Sequence, residues 1–201
     1  MIKIEKTDVY GFETAVRAMR NSWDSWEKSD SEYETFGHYE LGKSDKALMQ
    51  KLIAAGDDHA KFMRFITVTC DITAPRYWLT QMDTYKVGTV RCSCSTMHTI
   101  AKREFTLDDF SIDDKEHNAF AYVVDCLNVF RQRYNDTEDH YEWWRRLIQF
   151  LPQSYNQKGT FMINYQVLRH IYKVRKCHRL TEWHEFCEWI ESLPYSELIT
   201  E

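Results

Sequence analysis

The chain has 201 residues, of which 43% are hydrophobic and 15% aromatic, and this composition excludes a chain that is disordered throughout. The net charge of -5, without a polybasic run, argues against bulk nucleic-acid binding but leaves room for a local phosphate pocket. No run approaches the roughly 18 to 20 apolar residues of a membrane helix, and the N-terminal segment is charged where a signal peptide is apolar. We therefore expect a cytosolic protein, with its 6 cysteines as thiols.

The chain opens with a predicted strand, two helices and a polar segment between them. Residues 1–10 alternate in polarity and predict a strand, and residues 11–20 carry apolar side chains at helical spacing. The acidic and aromatic segment from Trp23 to Tyr39 is interpreted first as an exposed loop. The alternative is that its aromatic side chains pack on another subunit or on a ligand. A helix over 44–56 follows, with Ser44 as its expected N-cap.

The central stretch combines a strand, a helix and a polar loop. Alternating residues over 62–72 predict a strand with one buried face. The chain then turns at Pro75 and is predicted to be helical as far as Tyr85. Residues 88–98 form a predicted loop that is dense in hydroxyls and thiols. This arrangement is typical of α/β proteins that bind a phosphorylated small molecule.

The C-terminal half is predicted to be helical. Apolar residues recur every three to four positions over 117–134, 136–151, 161–177 and 181–193. The pattern contains no internal repeat and no low-complexity linker. We therefore expect an α/β (α+β) fold, as one helix-rich domain over 1–201 with a small sheet.

The thiols of the central loop suggest two kinds of chemistry, and neither is favoured. Cys92, Cys94 and His98 are spaced like zinc ligands, but a structural zinc site needs a fourth ligand and usually a second pair, so we expect no metal. A nucleophilic cysteine with His98 as its base lacks a group to orient the base. The simpler reading is that small thiols line a loop.

Two cations are candidates for contact with an anion. Lys86 lies beside a glycine and Thr89, although the glycines of a P-loop would have to precede the lysine. Arg175 lies on the helical face of Leu168 and Ile171, whereas the other basic residues of that helix are expected to be solvated.

Short motifs spread along the chain occur in the order of a known family. The matching positions are Asp58-His59 at a G-H pair, the Ala74-Pro75 turn followed by Gln81, Thr84-Tyr85-Lys86 at an R-H-R triplet, Thr89 and Ser95 to His98 in an S-x-R-Y loop, Leu151-Pro152, Asn164 with Arg175, and Glu182-Trp183 at Q-W-E-I. In these positions the chain resembles the flavin-dependent thymidylate synthases, the ThyX family.

The resemblance implies a reaction and an assembly. Members of the family methylate dUMP, using FAD, NADPH and methylenetetrahydrofolate, and are homotetramers with sites between subunits. By the same resemblance, Arg175 would bind the uracil and stabilise charge that develops on its ring, as the catalytic residue. The other implied nucleotide-binding residues are Lys86, Thr89, Ser95 and Gln81. The implied cofactor-binding residues are His59, Tyr85, Asn164 and His170.

The positions where the chain departs from the family pattern support an alternative. The triplet Thr84-Tyr85-Lys86 keeps one cation where the family has three basic residues, and Arg64-Phe65 stands at the family's E-H pair. The second hypothesis is therefore a non-catalytic protein on the same fold that binds a nucleotide or a nucleotide-derived signal. A third reading is a protein that binds no ligand.

Overall fold

A computed structural model describes residues 2–35, 37, 39–113 and 118–201. The strands are β1 (Lys3–Tyr10), β2 (Glu32–Tyr33), β3 (Tyr39–Glu40), β4 (Thr67–Pro75), β5 (Thr89–Ser93) and β6 (Asn156–Asn164). The helices are α1 (Phe12–Arg20), α2 (Lys43–Ala54), α3 (Arg76–Met82), α4 (Thr96–Thr99), α5 (Asn118–Asp136), α6 (His140–Phe150), α7 (Tyr165–Arg175), α8 (Thr181–Glu191) and α9 (Glu197–Thr200).

Two small sheets accompany these helices. One has the strand order β1-β4-β6-β5, and the other is the antiparallel pair β2-β3, in which Tyr33 lies opposite Tyr39. The expected helix-rich α/β class with a small sheet is confirmed. In the part of the chain that the structure describes, no helix is both long enough and apolar enough to cross a membrane.

The chain divides into two compact units. Unit 1 consists of Met1–Lys3, Ile72–Thr84 and Cys92–Thr160, and unit 2 consists of Ile4–Asp71, Tyr85–Arg91 and Phe161–Glu201. The expectation of a single domain stays a prediction.

Unit 1 has its core between α5, α6 and the segment that precedes α5. The fully or nearly buried members of this core are Ile100, Phe105, Phe110, Val124, Leu127, Leu147 and Leu151. Asn128 on α5 fastens the preceding segment, because its side-chain amide accepts from the Phe105 N–H at 2.8 Å and donates to the Phe105 carbonyl at 2.9 Å. The apolar face of α5 and the inner face of α6 are thus those that the sequence predicted.

Unit 2 has its core around α7, which packs against α8, α9 and the turn over Lys61–Phe65. Tyr165, Leu168 and Ile171 form the buried face of α7. Trp183 and Phe186 supply the buried face of α8, and both are fully enclosed. The end of α7 is therefore held on a rigid apolar base, and the candidate site is built there.

The N-cap predicted for α2 is wrong, because Gly42, not Ser44, occupies that position. The reason is a contact from an earlier segment. The Asp30 carboxylate accepts from the backbone N–H groups of Ser44 and Asp45, at 2.8 and 3.0 Å. A distant acid thus satisfies the donors at the helix N-terminus, which a local cap would otherwise satisfy.

The strand predicted over 62–72 begins later than expected. Lys61–Phe65 forms a 3-10 turn, and β4 runs from Thr67 to Pro75. Phe62 and Met63 are neighbours and are both buried, which an alternating strand cannot achieve. The prediction of one buried face holds for the even positions from Ile66 to Ile72.

The polar stretch that follows contains more regular structure than predicted. The helix α3 ends at Met82, before Tyr85, and the predicted loop over 88–98 contains β5 and α4. In β5 the residues alternate between half-buried and exposed positions, although none of them is fully buried. The half-buried positions Thr89, Arg91 and Ser93 are all polar, so they give no hydrophobic signal, which is why periodicity missed this strand.

The helix predicted over 161–177 combines the end of β6 with α7. Phe161 and Ile163 are buried while Met162 between them is exposed, which is a strand alternation. The helical periodicity begins only after Asn164, and Val174, expected to face inward, is exposed. The apolar positions of the two elements happen to fit one continuous helical pattern.

Two further predictions concern boundaries. The helix predicted from His117 begins at Asn118 among the described residues, and His117 itself lies outside them. The helix predicted from residue 136 begins at His140, with the Asp139 side chain accepting from the Glu142 N–H. The segment from Trp23 to Tyr39 contains short turns and the β2-β3 pair with exposed aromatic side chains, and Phe36 and His38 lie outside the described residues.

Candidate functional site

Arg175 is the last residue of α7, and the apolar face of the helix determines where its side chain lies. Ile171 is one turn earlier and Leu168 nearly two turns earlier, and both are buried. Arg175 follows on the same face, half-buried at the point where the helix leaves the core. A guanidinium group at such a position is partly desolvated, which strengthens its hydrogen bonds and ring contacts.

Two aromatic rings surround the Arg175 guanidinium. Its Nε donates a hydrogen bond to Tyr85 Oη at 2.7 Å. Its central carbon lies 4.7 Å from the centroid of the Trp183 ring and 5.6 Å from that of the Tyr85 ring. The two rings are 6.1 Å apart at an angle of 77°. We call this pair of rings, Tyr85 and Trp183, the aromatic corner.

Two histidines border the aromatic corner. The His170 ring is 5.9 Å from the Tyr85 ring, and the His178 ring is 6.3 Å from the Trp183 ring. Burial lowers the pKa of His178, and the charge of Arg175 and then His184 lower it further. His178 accepts from the Leu180 N–H through Nδ1, which requires that nitrogen to be unprotonated.

The loop that carries Lys86 is fastened to the start of α7. Asn164 caps the helix by accepting from the Val167 N–H at 3.0 Å, and its Nδ2 donates to the Gly88 carbonyl at 3.4 Å. Gly88 has a φ of +84°, and a Cβ atom at this position would overlap Asn164 Nδ2. A side chain at position 88 would therefore need both a left-handed backbone conformation and a shift of the Asn164 side chain.

Lys86 and Thr89 lie on this loop and differ in their surroundings. The Lys86 side chain is exposed to solvent. Thr89 is half-buried, and its Oγ1 is enclosed with no hydrogen-bond partner among the residues the structure describes. An enclosed hydroxyl without a partner is costly unless an incoming group satisfies it.

The fold matches proteins of known structure along almost the whole chain. The flavin-dependent thymidylate synthase ThyX of Helicobacter pylori, in complex with FAD and dUMP, superimposes with a TM-score of 0.75 over 98% of this chain and 97% of the other, at 18% sequence identity. The fold is that of the flavin-dependent thymidylate synthases. A UMP/dUMP methylase, PolB of Streptomyces cacaoi bound with 5-Br dUMP, gives a TM-score of 0.67 over 100% of this chain and 95% of the other, at 17% identity.

At these identities the similarity concerns the ThyX fold. No protein-family model and no curated protein matches the sequence. The resemblance read from the motifs is thus confirmed at the level of the fold.

Most of the residues that the ThyX resemblance assigned to a site lie in unit 2. Arg175, Tyr85, His170 and Asn164 are linked by the contacts described above, and Lys86 and Thr89 lie on the adjoining loop. His59 is also in unit 2, with an exposed side chain after Gly56. The remaining two belong to unit 1: Gln81 is on α3, and Ser95 precedes α4, where its carbonyl accepts from Thr99 Oγ1 at 2.8 Å.

One thiol of the central loop, that of Cys94, lines a cavity in unit 1. Cys92 and Cys94 are exposed, and Cys94 Sγ is 3.6 Å from Thr99 Oγ1. The cavity has a volume of about 430 Å³ and is lined by Cys94, Tyr155 and the ion pair between Arg103 and Asp109. Among the described residues, no three histidine, cysteine or acidic side chains are grouped to hold a metal.

Sequence reasoning missed two features of these sites. Trp183 was assigned to the inner face of its helix and to the family's Q-W-E-I, and its contact with Arg175 was not foreseen. The cavity-lining Arg103 and Tyr155 had no signal in the sequence. Burial raises the pKa of Tyr155, and Arg103 holds the pKa of Asp109 below its usual value even though burial opposes this.

Proposed function

We propose that the protein binds a pyrimidine nucleotide of the dUMP type, with Arg175, Lys86 and Thr89 as the contacting residues. The observation that carries this proposal is the position of Arg175, held in the aromatic corner directly beside the loop that bears the other two. The ThyX fold supports it, since relatives in structure were crystallised with dUMP or 5-Br dUMP.

Each contact matches one part of a nucleotide. The planar guanidinium of Arg175 suits the carbonyl oxygens of a uracil ring, because it presents several donors in a fixed geometry. Lys86 is a point charge at the solvent edge and suits a phosphate that is partly hydrated. The enclosed Thr89 hydroxyl offers a hydrogen bond that the protein alone does not satisfy.

The residues suit a flavin less well than a nucleotide. Two of the four proposed cofactor-binding residues make internal contacts, since Tyr85 accepts from Arg175 and both ends of the Asn164 amide are hydrogen-bonded. At the family's E-H pair, Arg64 instead donates to Gln166 on α7. The other two, His59 and His170, are exposed to solvent. The four residues therefore offer FAD few donors that the protein holds in a fixed orientation.

The second candidate function is the FAD-dependent methylation of dUMP, with NADPH and methylenetetrahydrofolate as cosubstrates. It is favoured by the ThyX of Helicobacter pylori, whose structure contains FAD and dUMP. FAD would supply the redox chemistry, and Arg175 would orient the uracil and stabilise charge on its ring as the catalytic residue. Homotetramer formation and cytosolic residence stay predictions.

The test compares the thermal stability of the protein with dUMP and with FAD. A ligand that binds the folded state at 100 times its Kd stabilises that state by about 2.7 kcal/mol. We expect dUMP to raise the Tm of the wild type, and Arg175→Gln to abolish that increase. The matched control is Arg179→Gln, an exposed arginine four positions later, which should respond like the wild type.

The outcomes separate the two candidates. Colourless purified protein that responds to dUMP and not to FAD supports the non-catalytic binding protein. Yellow protein with stoichiometric flavin absorbance supports the methylation reaction. An Arg175→Gln variant that keeps the full response to dUMP removes Arg175 from the site, and a wild type that responds to neither ligand rejects the proposal. Native mass spectrometry of the same sample reports the subunit number.

A further inference from the structure

We infer that Tyr85 and Trp183 are positioning residues, which fix the guanidinium of Arg175 before any ligand arrives. The effect on nucleotide binding rests on the proposed function, whereas the fixing of the guanidinium is a property of the free protein. This assigns Tyr85 a different task from the cofactor contact that the ThyX resemblance implies.

Three contacts restrain the position and the direction of the guanidinium. The hydrogen bond from Nε to Tyr85 Oη fixes the direction of one edge. The Trp183 and Tyr85 rings, at 77° to one another, border the group on two sides at 4.7 and 5.6 Å. A cation close to two aromatic rings is attracted to both, so rotation away from the aromatic corner loses three interactions together.

The aromatic corner is itself held on both sides. Trp183 is fully buried, and its ring meets that of Phe186 edge to face at 5.8 Å and 88°. Tyr85 lies three residues before Gly88, whose carbonyl accepts from Asn164. The Arg175 side chain is thus contacted both by Trp183, which is buried on α8, and by Tyr85, whose loop is hydrogen-bonded to α7. A shift of the Trp183 ring would therefore disturb the core of unit 2.

Fixing the guanidinium in advance reduces the cost of binding. A solvent-exposed arginine side chain populates many rotamers. A ligand that must fix one of them binds less tightly, because the lost side-chain entropy opposes binding. The corner orders this side chain during folding instead. The tyrosine at the middle position of the triplet, where the family pattern has histidine, supplies a phenol oxygen that accepts the hydrogen bond from Arg175 Nε.

The variant Tyr85→Phe tests the inference, since it keeps the ring and removes the hydrogen bond. We expect the Nε–H resonance of Arg175, assigned by its loss in Arg175→Lys, to be sharp in the free wild type and to shift and broaden in Tyr85→Phe. Calorimetry with dUMP should show binding about 2- to 13-fold weaker in Tyr85→Phe, the range expected for one side chain that must be ordered on binding. Tyr172→Phe removes a tyrosine hydroxyl elsewhere on α7, where it donates to Glu191, and should leave both measurements unchanged.

A double-mutant cycle distinguishes positioning from a purely structural effect. In the Arg175→Lys background, Tyr85→Phe should no longer weaken dUMP binding, because the tyrosine acts through the arginine. Equal losses in both backgrounds overturn the inference. An Nε–H resonance that is undetectable in the wild type, or unchanged in Tyr85→Phe, overturns it also. A resonance that behaves as expected in a protein that does not bind dUMP rejects the proposed function and leaves the positioning role established.

Discussion

The buried ion pair between Arg20 and Asp45 is expected to dominate the response of unit 2 to a single substitution. Asp45 is fully buried and Arg20 is 3% exposed, and Arg20 Nε donates to Asp45 Oδ1 at 2.6 Å. The other carboxylate oxygen accepts from Ser29 Oγ at 2.6 Å and Ser31 Oγ at 2.7 Å. We predict that Asp45→Asn destabilises the protein strongly, because it leaves the buried guanidinium without its counter-charge.

The size of the effect follows from the burial of the pair. Removal of one partner from a buried ion pair costs about 3 to 5 kcal/mol, because the remaining charge is uncompensated. For a chain of this length each kcal/mol lowers the Tm by about 2 to 4 °C, so the expected decrease is roughly 6 to 20 °C. In Arg20→Met/Asp45→Leu no charge is left buried, and this double variant should be more stable than Asp45→Asn.

The same carboxylate makes stability depend on pH in the acid range. Burial alone would raise the pKa of Asp45, but hydrogen bonds from Ser29, Ser31 and Arg20, with the charge of Arg20, hold it below the usual value. A folded-state pKa below the unfolded one, which is about 3.9, gives stability that is complete above that pH. This stability is lost as the pH falls through the lower, folded-state pKa, and Asp45→Asn should lose less on acidification than the wild type.

Urea unfolding followed by tryptophan fluorescence, at pH 7 and at steps below pH 5, measures both effects. The control is Asp58→Asn, because the Asp58 side chain is 97% exposed and its ion pair with Lys61 spans 3.8 Å. That control should change the free energy of unfolding by less than about 0.5 kcal/mol. A loss below about 1 kcal/mol for Asp45→Asn, or a double variant less stable than Asp45→Asn, would refute the reasoning.

Three further predictions concern glycine, the cap of α7 and the thiols. Gly88→Ala should lower the free energy of unfolding in urea by about 1 to 3 kcal/mol. The loss should exceed that of Gly56→Ala, since both glycines have positive φ but only a Cβ at position 88 overlaps Asn164. Equal losses would mean that the loop shifts to accommodate the Cβ. Asn164→Ala should cost about 1 kcal/mol as a lost N-cap, and an unchanged midpoint would contradict that role. Burial raises the pKa of Cys70 to about 12 and that of Cys187 to about 11. Ellman's reagent should therefore react with only the four exposed thiols of the native protein. Rapid reaction of all six thiols would contradict this prediction.

Much of the fold could be predicted because its signals are local. The periodicity over 117–134 and 181–193 predicted α5 and α8, and Pro152 predicted the end of α6. The local pattern could not locate a boundary where one element follows another directly. For this reason the end of β6 and α7 were predicted as one helix. The strand β5 was not predicted because its half-buried face consists of polar residues.

The candidate site divides in the same way. The motif order singled out Arg175, Lys86 and Tyr85 as site residues, and this assignment stays a prediction. The hydrogen bond between Arg175 and Tyr85 joins residues 90 positions apart, and no local pattern encodes such a contact. The assignment of Tyr85 to a cofactor came from its place in the triplet, whereas its role beside Arg175 came from the packing.

The sequence by itself determined the helix-rich α/β class, most of the helices and the residues that carry charge near the proposed site. Caps, turns and amphipathic faces depend on neighbours within a few positions, so they can be read from a single chain. Only the tertiary structure decided which side chains are buried together, such as Arg20 with Asp45 and Arg175 within the aromatic corner. The physical reason is that burial and ion pairing depend on which distant segments pack against one another.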